Sequence, residues 1–344
     1  EYEFEDAMQQ GEFEAENTIR LISGWIPVSL EQGLKDFLEK NNVIYFAEEA
    51  KAEENPPIKL KNNWFARLFE PISKMYMLPY YNEFDLTPFF APFFALFFGF
   101  CNADIGYGIV IIILAVILKL KLKNKGMKDI MSLLIIFGAS SIIMGWVMGS
   151  ALAYDLKTIP ALADKILIKD NNQIFNYALL LGAIQILFGI AISAVKTIRN
   201  NGIKFGLSTI GTFLLLLGLT VLGSSLLGTD ISKVQPYLKY PIYIGLAMIL
   251  LFNSPGKNII LNILNGLWLL YQIITGYFGD ILSYIRLFAL CVSSAILGFV
   301  MNSIGSQMAG IPVVGPIIFI LFMLFGHTLN IALGGLSGFV HPLR

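Results

Sequence analysis

The 344 residues are 56% hydrophobic and only 14% charged, with 24 Lys+Arg balancing 24 Asp+Glu. An ordinary soluble domain carries about 25% charged residues, so this composition excludes one. The zero net charge hides a division: residues 1–86 carry a net −9 and residues 87–344 a net +9, with no Glu after Glu83. An acidic, water-facing piece (residues 1–56) is therefore expected to join, through a linker at 57–86, a membrane piece over 87–344. Cys101 and Cys291 both sit in apolar runs, which excludes a disulfide framework or a cysteine-rich metal site. The basic residues are scattered between apolar segments rather than gathered on one face, so nucleic acid is not an expected partner. The chain begins at Glu1 without Met and stops at Arg344 inside a helical pattern, and it reads as part of a longer polypeptide.

In chain order, residues 20–28 (RLISGWIPV) predict a strand. Residues 30–40 predict an amphipathic helix capped by Ser29, and residues 43–47 a second strand, together the end of an α/β domain. KAEENPP (51–57) is polar and ends in proline. The apolar run at 88–118 is too long for one upright span and is interrupted by Asn102, Asp104 and Gly106, so it predicts a hairpin of two short spans. KLKLKNKGMK (119–128) follows, then apolar segments at 130–153, 174–196, 206–227, 239–253, 258–303 and 313–344. The fold class expected is an α-helical polytopic membrane protein of about eight spans, the last two long and tilted. The lysine-rich loops fall on alternate boundaries, as short cytoplasmic loops do, and place the N-terminal piece in the cytosol. The run at 258–303 would be roughly 69 Å long as a helix, against a bilayer core of about 30 Å. It must tilt, lie along the surface or break, with Gly276 and Gly279 the expected bending points.

Arg286 is the sharpest chemical feature. It stands mid-run in YFGDILSYIRLFALCVSSAILGFV, where burying a guanidinium costs at least about 2.5–3.5 kcal/mol. Its charge is permanent. The nearest carboxylate, Asp280, is six residues away on another face, which points to a partner carboxylate on another subunit. A structural arginine pairing with a neighbouring helix is the plainer alternative. Gly279, Ser283, Arg286, Ala289 and Ser293 form a small or polar face suited to close approach of another helix, or to packing inside the subunit. In the last run, His327, Asn330, Gly334, Ser337, His341 and Arg344 repeat at intervals of three and four residues and gather both histidines of the chain. Such a stripe fits either a wettable path for protons or ions, or a structural polar seam. No phosphate-binding loop, metal cluster or nucleophile site is visible, so no cofactor is expected.

Four stretches resemble the membrane-anchored stator subunit of rotary V/A-type ATPases, called subunit a in vacuolar enzymes and subunit I in archaeal and bacterial ones. They are GWIPVSLEQGLKDFL (24–38), MYMLPYYNEFDLTPFFAPFFALFFGFCNADIGYG (75–108), LSYIRLFAL (282–290) and GHTLNIALGGLSGFVHPLR (326–344). The resemblance implies a non-catalytic subunit of an ion-translocating complex, with Arg286 facing the ion-binding carboxylate of a rotating proteolipid ring. Arg344 would be the family's second membrane arginine, with His341 beside it in a half-channel. Asp280, Ser283, His327 and Asn330 are further candidates for the lining. Peripheral-stalk subunits and a central-stalk cap subunit are the partners implied for the cytosolic domain. Departures stand at Gly334, where vacuolar members carry Glu, at Ser294, where they carry His, and at Ala103, where the family usually has Gly. The short loops at 154–173 and 228–238 favour a prokaryotic plasma-membrane enzyme. A secondary transporter or a purely structural membrane anchor are the alternatives; the first predicts an internal repeat that the sequence lacks, and the second leaves Arg286 unexplained.

Overall fold

The computed structural model describes residues 12–14, 19–51, 54, 56–76, 78–81, 83–168, 170–225, 230–254, 258–309 and 314–340. The chain divides into two units, residues 1–88 and 89–344.

In the first unit, β1 (Glu12–Glu14) and β2 (Ile19–Leu21) pair as an antiparallel hairpin. Of the strand expected over 20–28, only residues 20 and 21 are in strand. A 3-10 turn at Val28–Leu30 leads into α1 (Glu31–Lys40), closed by Leu30 N–H donating to Pro27 O at 2.8 Å. Ser29 is consequently not the cap. Ser29 lies inside the 3-10 turn, and the N-cap is Leu30, whose apolar side chain has no acceptor to offer the first N–H groups. On the outer face of α1 the Lys35 ammonium lies 2.6 Å from Glu31, which holds it above the usual lysine range. Residues 43–47 run without a strand partner, with Ile44 and Phe46 exposed, so the expected α/β pairing is not formed among the described residues.

Residues 62–87 are a small packed knot. Asn63 caps α2 (Trp64–Arg67) by accepting from Ala66 N at 2.8 Å, and α3 (Glu70–Tyr76) follows, with Ala66, Phe69 and Ile72 buried. Asn62 donates to both Glu70 (3.1 Å) and Asp85 (2.6 Å). Asp85 also accepts from the Thr87 hydroxyl, so the buried Ser73 hydroxyl donates to Thr87 at 2.6 Å.

The second unit is helical: α4 (Thr87–Cys101), α5 (Ile105–Lys121), α6 (Lys125–Met148), the short α7 (Pro160–Ala163), α8 (Asn171–Asn201), α9 (Ile203–Ser224), α10 (Gln235–Phe252), α11 (Ile259–Ala309) and α12 (Gly315–Val340). Among the described residues five helices, α6, α8, α9, α11 and α12, are long and apolar enough to cross a membrane. The expected count of eight needs three shorter ones. α4, α5 and α10, of 15, 17 and 18 residues, reach only about 22–27 Å. The break between α4 and α5 falls where Asn102 and Asp104 interrupt the apolar run. The long segment does not break: α11 is one helix of 51 residues through Gly276 and Gly279, about 76 Å long. Both glycines have open space beside them, so nothing at either position forces a kink.

Helices meet through glycines. A Cβ on Gly108 of α5 would lie 2.6 Å from Gly138 O of α6, and one on Gly138 2.8 Å from Gly108 O. Gly211 of α9 and Gly245 of α10 repeat the arrangement, at 2.8 and 2.6 Å. In lipid, where water does not drive apolar surfaces together, such close backbone approach is what earns dispersion energy between helices. A core of Phe97, Phe100, Cys101, Met148, Ile168, Ile174, Ala178, Leu287 and Cys291 joins α4, α6, α8 and α11. The two cysteines are free and buried in it, packing as small apolar side chains.

Candidate functional site

Helix α11 has two unlike sides. Tyr284, Leu287, Cys291, Ser294 and Gly298 recur every three or four residues and face the rest of the unit. Leu287, Cys291 and Gly298 are buried, and Tyr284 donates to Gln185 Oε1 of α8 at 2.8 Å. The other side, with Leu282, Ala289, Ser293, Ile296 and Val300, is exposed. Arg286 is half-buried at the border between the two. Ser283, also half-buried, donates to Gly279 O in its own helix at 3.3 Å, and Gly279 itself is exposed. Asp280 is exposed and sits one turn beyond the unit-facing row, about 120° around the helix from Arg286 at 100° per residue.

The stripe of α12 turns into the unit. Asn330 is 1% exposed and Gly334 is buried. A Cβ on Gly334 would collide with the Asn102 side chain, and one on Gly338 would lie 3.1 Å from Phe98. Around Asn330 the polar groups close on one another. Its Nδ2 donates to Ser294 O and to Tyr107 Oη, both at 3.0 Å, and its Oδ1 accepts from Ser294 Oγ at 3.0 Å. Tyr107 Oη lies 2.9 Å from Nδ1 of His327, which is half-buried one turn earlier on α12. The structure thus joins His327 and Asn330 through Tyr107, with Ser294 bridging to α11. His341 and Arg344 lie outside the described residues.

Beside this network Asp104, 4% exposed, caps α5 and ties down the hairpin of β3 (Ser150–Ala151) and β4 (Tyr154–Asp155). One oxygen accepts Tyr107 N (3.1 Å) and Leu152 N (2.7 Å); the other accepts Ser150 Oγ (2.6 Å) and Ala153 N (2.7 Å). Leu152 and Ala153 both have positive φ, 49° and 58°, the pair of values that a two-residue hairpin turn requires and that non-glycine residues resist. Ala153 presses against Gly298 of α11, and Asn302 donates to Leu152 O at 2.9 Å. Among the described residues no three His, Cys, Asp or Glu side chains converge as metal ligands would.

The model of the V-type ATPase 116kDa subunit family matches residues 6–151, the stretch that contains Asp104 and Tyr107. Curated relatives align over nearly the whole chain. The A-type ATP synthase subunit I of Methanocaldococcus jannaschii is 26% identical over 94% of this chain and 51% of its own length. That of Methanothermobacter thermautotrophicus is 29% identical over 94% and 48%. The V-type ATP synthase subunit I of Borreliella burgdorferi is 27% identical over 99% and 59%.

Over residues 6–151 the chain is similar to the V-type ATPase 116kDa subunit family. It spans about half the length of the curated relatives it matches. The polar cluster uses residues that the sequence pattern did not single out. Tyr107 and Asp104 read only as parts of a turn, and Ser294 only as a departure from the vacuolar pattern. One available signal was Tyr107 itself: a tyrosine inside an apolar helix must place its hydroxyl on a partner when buried, and Tyr107 is 2% exposed.

Proposed function

We propose that this chain is the membrane stator subunit of a rotary V/A-type ATPase, itself non-catalytic, in a prokaryotic plasma membrane with residues 1–56 on the cytosolic side. It forms two ion half-channels against a proteolipid ring and couples proton or sodium passage to ATP hydrolysis or synthesis. The observation that carries the reading is Arg286, half-buried on α11 where the unit-facing row gives way to an exposed apolar side. A ring carboxylate arriving beside a permanent cation is favoured in its charged form and releases its ion. Once past, facing lipid, the same carboxylate is costly when charged and reloads. The arginine needs only charge at the right depth, and it also blocks a leak between the half-channels. Ser283 and Asp280 accompany Arg286 on α11, and His327 and Asn330 accompany it from α12; His341 and Arg344, which follow in the sequence, complete the set. Stalk subunits dock on the cytosolic piece, and lipid covers the rest of the membrane unit.

Arg286→Ala in the assembled complex tests this, with ATP-driven ion transport and ATP hydrolysis measured side by side. The expected result is transport reduced to background in a complex that still assembles. A protonophore or a sodium ionophore collapsing the wild-type gradient names the ion. Normal coupled transport by Arg286→Ala would leave a structural arginine and overturn the mechanism.

A further inference from the structure

Counting donors around Asn330 assigns a proton that the heavy atoms alone do not show. Ser294 O is a carbonyl and can only accept, so the Asn330 atom facing it is the amide nitrogen. The same nitrogen faces Tyr107 Oη at 3.0 Å, so the tyrosine oxygen accepts there. Tyr107 has one hydroxyl proton, and its remaining partner is His327 Nδ1 at 2.9 Å. Giving that proton an acceptor requires a lone pair on this nitrogen. A neutral imidazole with a lone pair on Nδ1 has its proton on Nε2.

We propose that Tyr107 is the positioning residue of His327, fixing it as the Nε2–H tautomer so that its free side presents a donor to a hydrogen-bond acceptor such as a water or carboxylate oxygen. In that form His327 cannot ligate a bare cation. Resting on the half-channel reading of the last helix, the inference makes His327 a contact for water or for a carboxylate, and never a sodium ligand. The Ser294–Asn330–Tyr107 chain is directional, each link oriented by the one before, and the Ser294 carbonyl at its start belongs to the backbone of α11. Among the described residues, the ionisable groups facing His327 are Tyr107 itself and Asp104 at the start of α5. The Asp104 oxygens are committed to the β3–β4 turn and to the first turn of α5. Ser294 and Gly298, which α11 brings here, carry no charge.

The test is ¹⁵N magnetic resonance of the histidine-labelled full protein in lipid bilayers, the His327 signals being assigned by difference against His327→Gln. The wild type is expected to show a protonated Nε2 and a hydrogen-bond-accepting Nδ1, unchanged when potassium is replaced by sodium. Tyr107→Phe removes one neutral hydrogen bond and should lower the Nε2–H to Nδ1–H ratio about fivefold. In transport assays it should shift the pH profile rather than scale it uniformly. A wild-type Nδ1–H tautomer, a sodium-dependent Nε2 shift, or a ratio indifferent to Tyr107→Phe would each overturn the proposal. The spectrum needs no transport to be read. Normal transport by His327→Ala with the expected tautomer would sink the ion-path reading of α12 and leave the positioning role standing.

Discussion

Asp104 shows how much one buried carboxylate can organise. Both of its oxygens face backbone N–H groups, so an asparagine in its place has no good orientation. Whichever way the amide turns, its NH2 meets a donor. Asp104→Asn is expected to cost about 2–3 kcal/mol, read as a lower unfolding midpoint in detergent and as protease access at the Leu152–Ala153 turn. A weaker case lies in the loop before α10. The exposed Asp230 is held below the usual carboxylate range by the Ser232 hydroxyl and by Ser232 N–H, the latter at 3.0 Å. A depressed carboxylate lends its stabilisation above the ordinary range, and that contribution fades as pH falls through the folded value. A carbon-13 titration should therefore find the Asp230 midpoint below that of a free aspartate, and Ser232→Ala should raise it.

At the scale of elements, adjacent glycines make a clean contrast. Gly334 is packed on Asn102, while Gly335 has nothing within 4 Å of where a Cβ would stand. Asn102 is 1% exposed and has no room to retreat. Gly334→Ala is therefore expected to destabilise by about 1–3 kcal/mol, and Gly335→Ala to stay within about 1 kcal/mol of the parent, both by thermal unfolding of the purified protein. Element positions were largely legible beforehand. The break at Asn102–Asp104 and the cores of the later helices lie close to where hydropathy and charge put them, because polar residues in an apolar run have few places to go. The strands were not legible. Residues 43–47 have strand composition, but a strand also needs an edge to pair with, and composition does not supply one. Nor was the partnership of Tyr107 legible. Periodicity sees one helix at a time, and this tyrosine is defined by groups 220 and 223 residues away. The row on α12 was visible as a row, yet whether it faced outward or inward depended on Asn102 and Tyr107 filling the space beside it.

For the whole molecule, the two sides of α11 carry the strongest expectation. Its exposed side carries the small Ala289 and Ser293 near Arg286, with Ile296 beyond them, while Cys291 on the other side is buried against Met148, its thiol 3.5 Å from the Met148 sulfur. A photo-cross-linking residue at Ser293 should therefore capture a proteolipid in the assembled complex, and one at Cys291 should capture only this chain. Capture of lipid alone at Ser293 would remove the ring from that side.

The same polar cluster has a consequence for biosynthesis. Tyr107 enters the membrane with the first hairpin, but Ser294, His327 and Asn330 are made some 190 to 220 residues later. Until α12 is threaded in, the Tyr107 phenol sits in hydrocarbon without those companions, and such a group is costly there. The last helix is thus the keystone of an arch whose first stone was laid long before. A nascent chain arrested before residue 315 carries an exposed polar seam that a membrane quality-control system can read as unfinished.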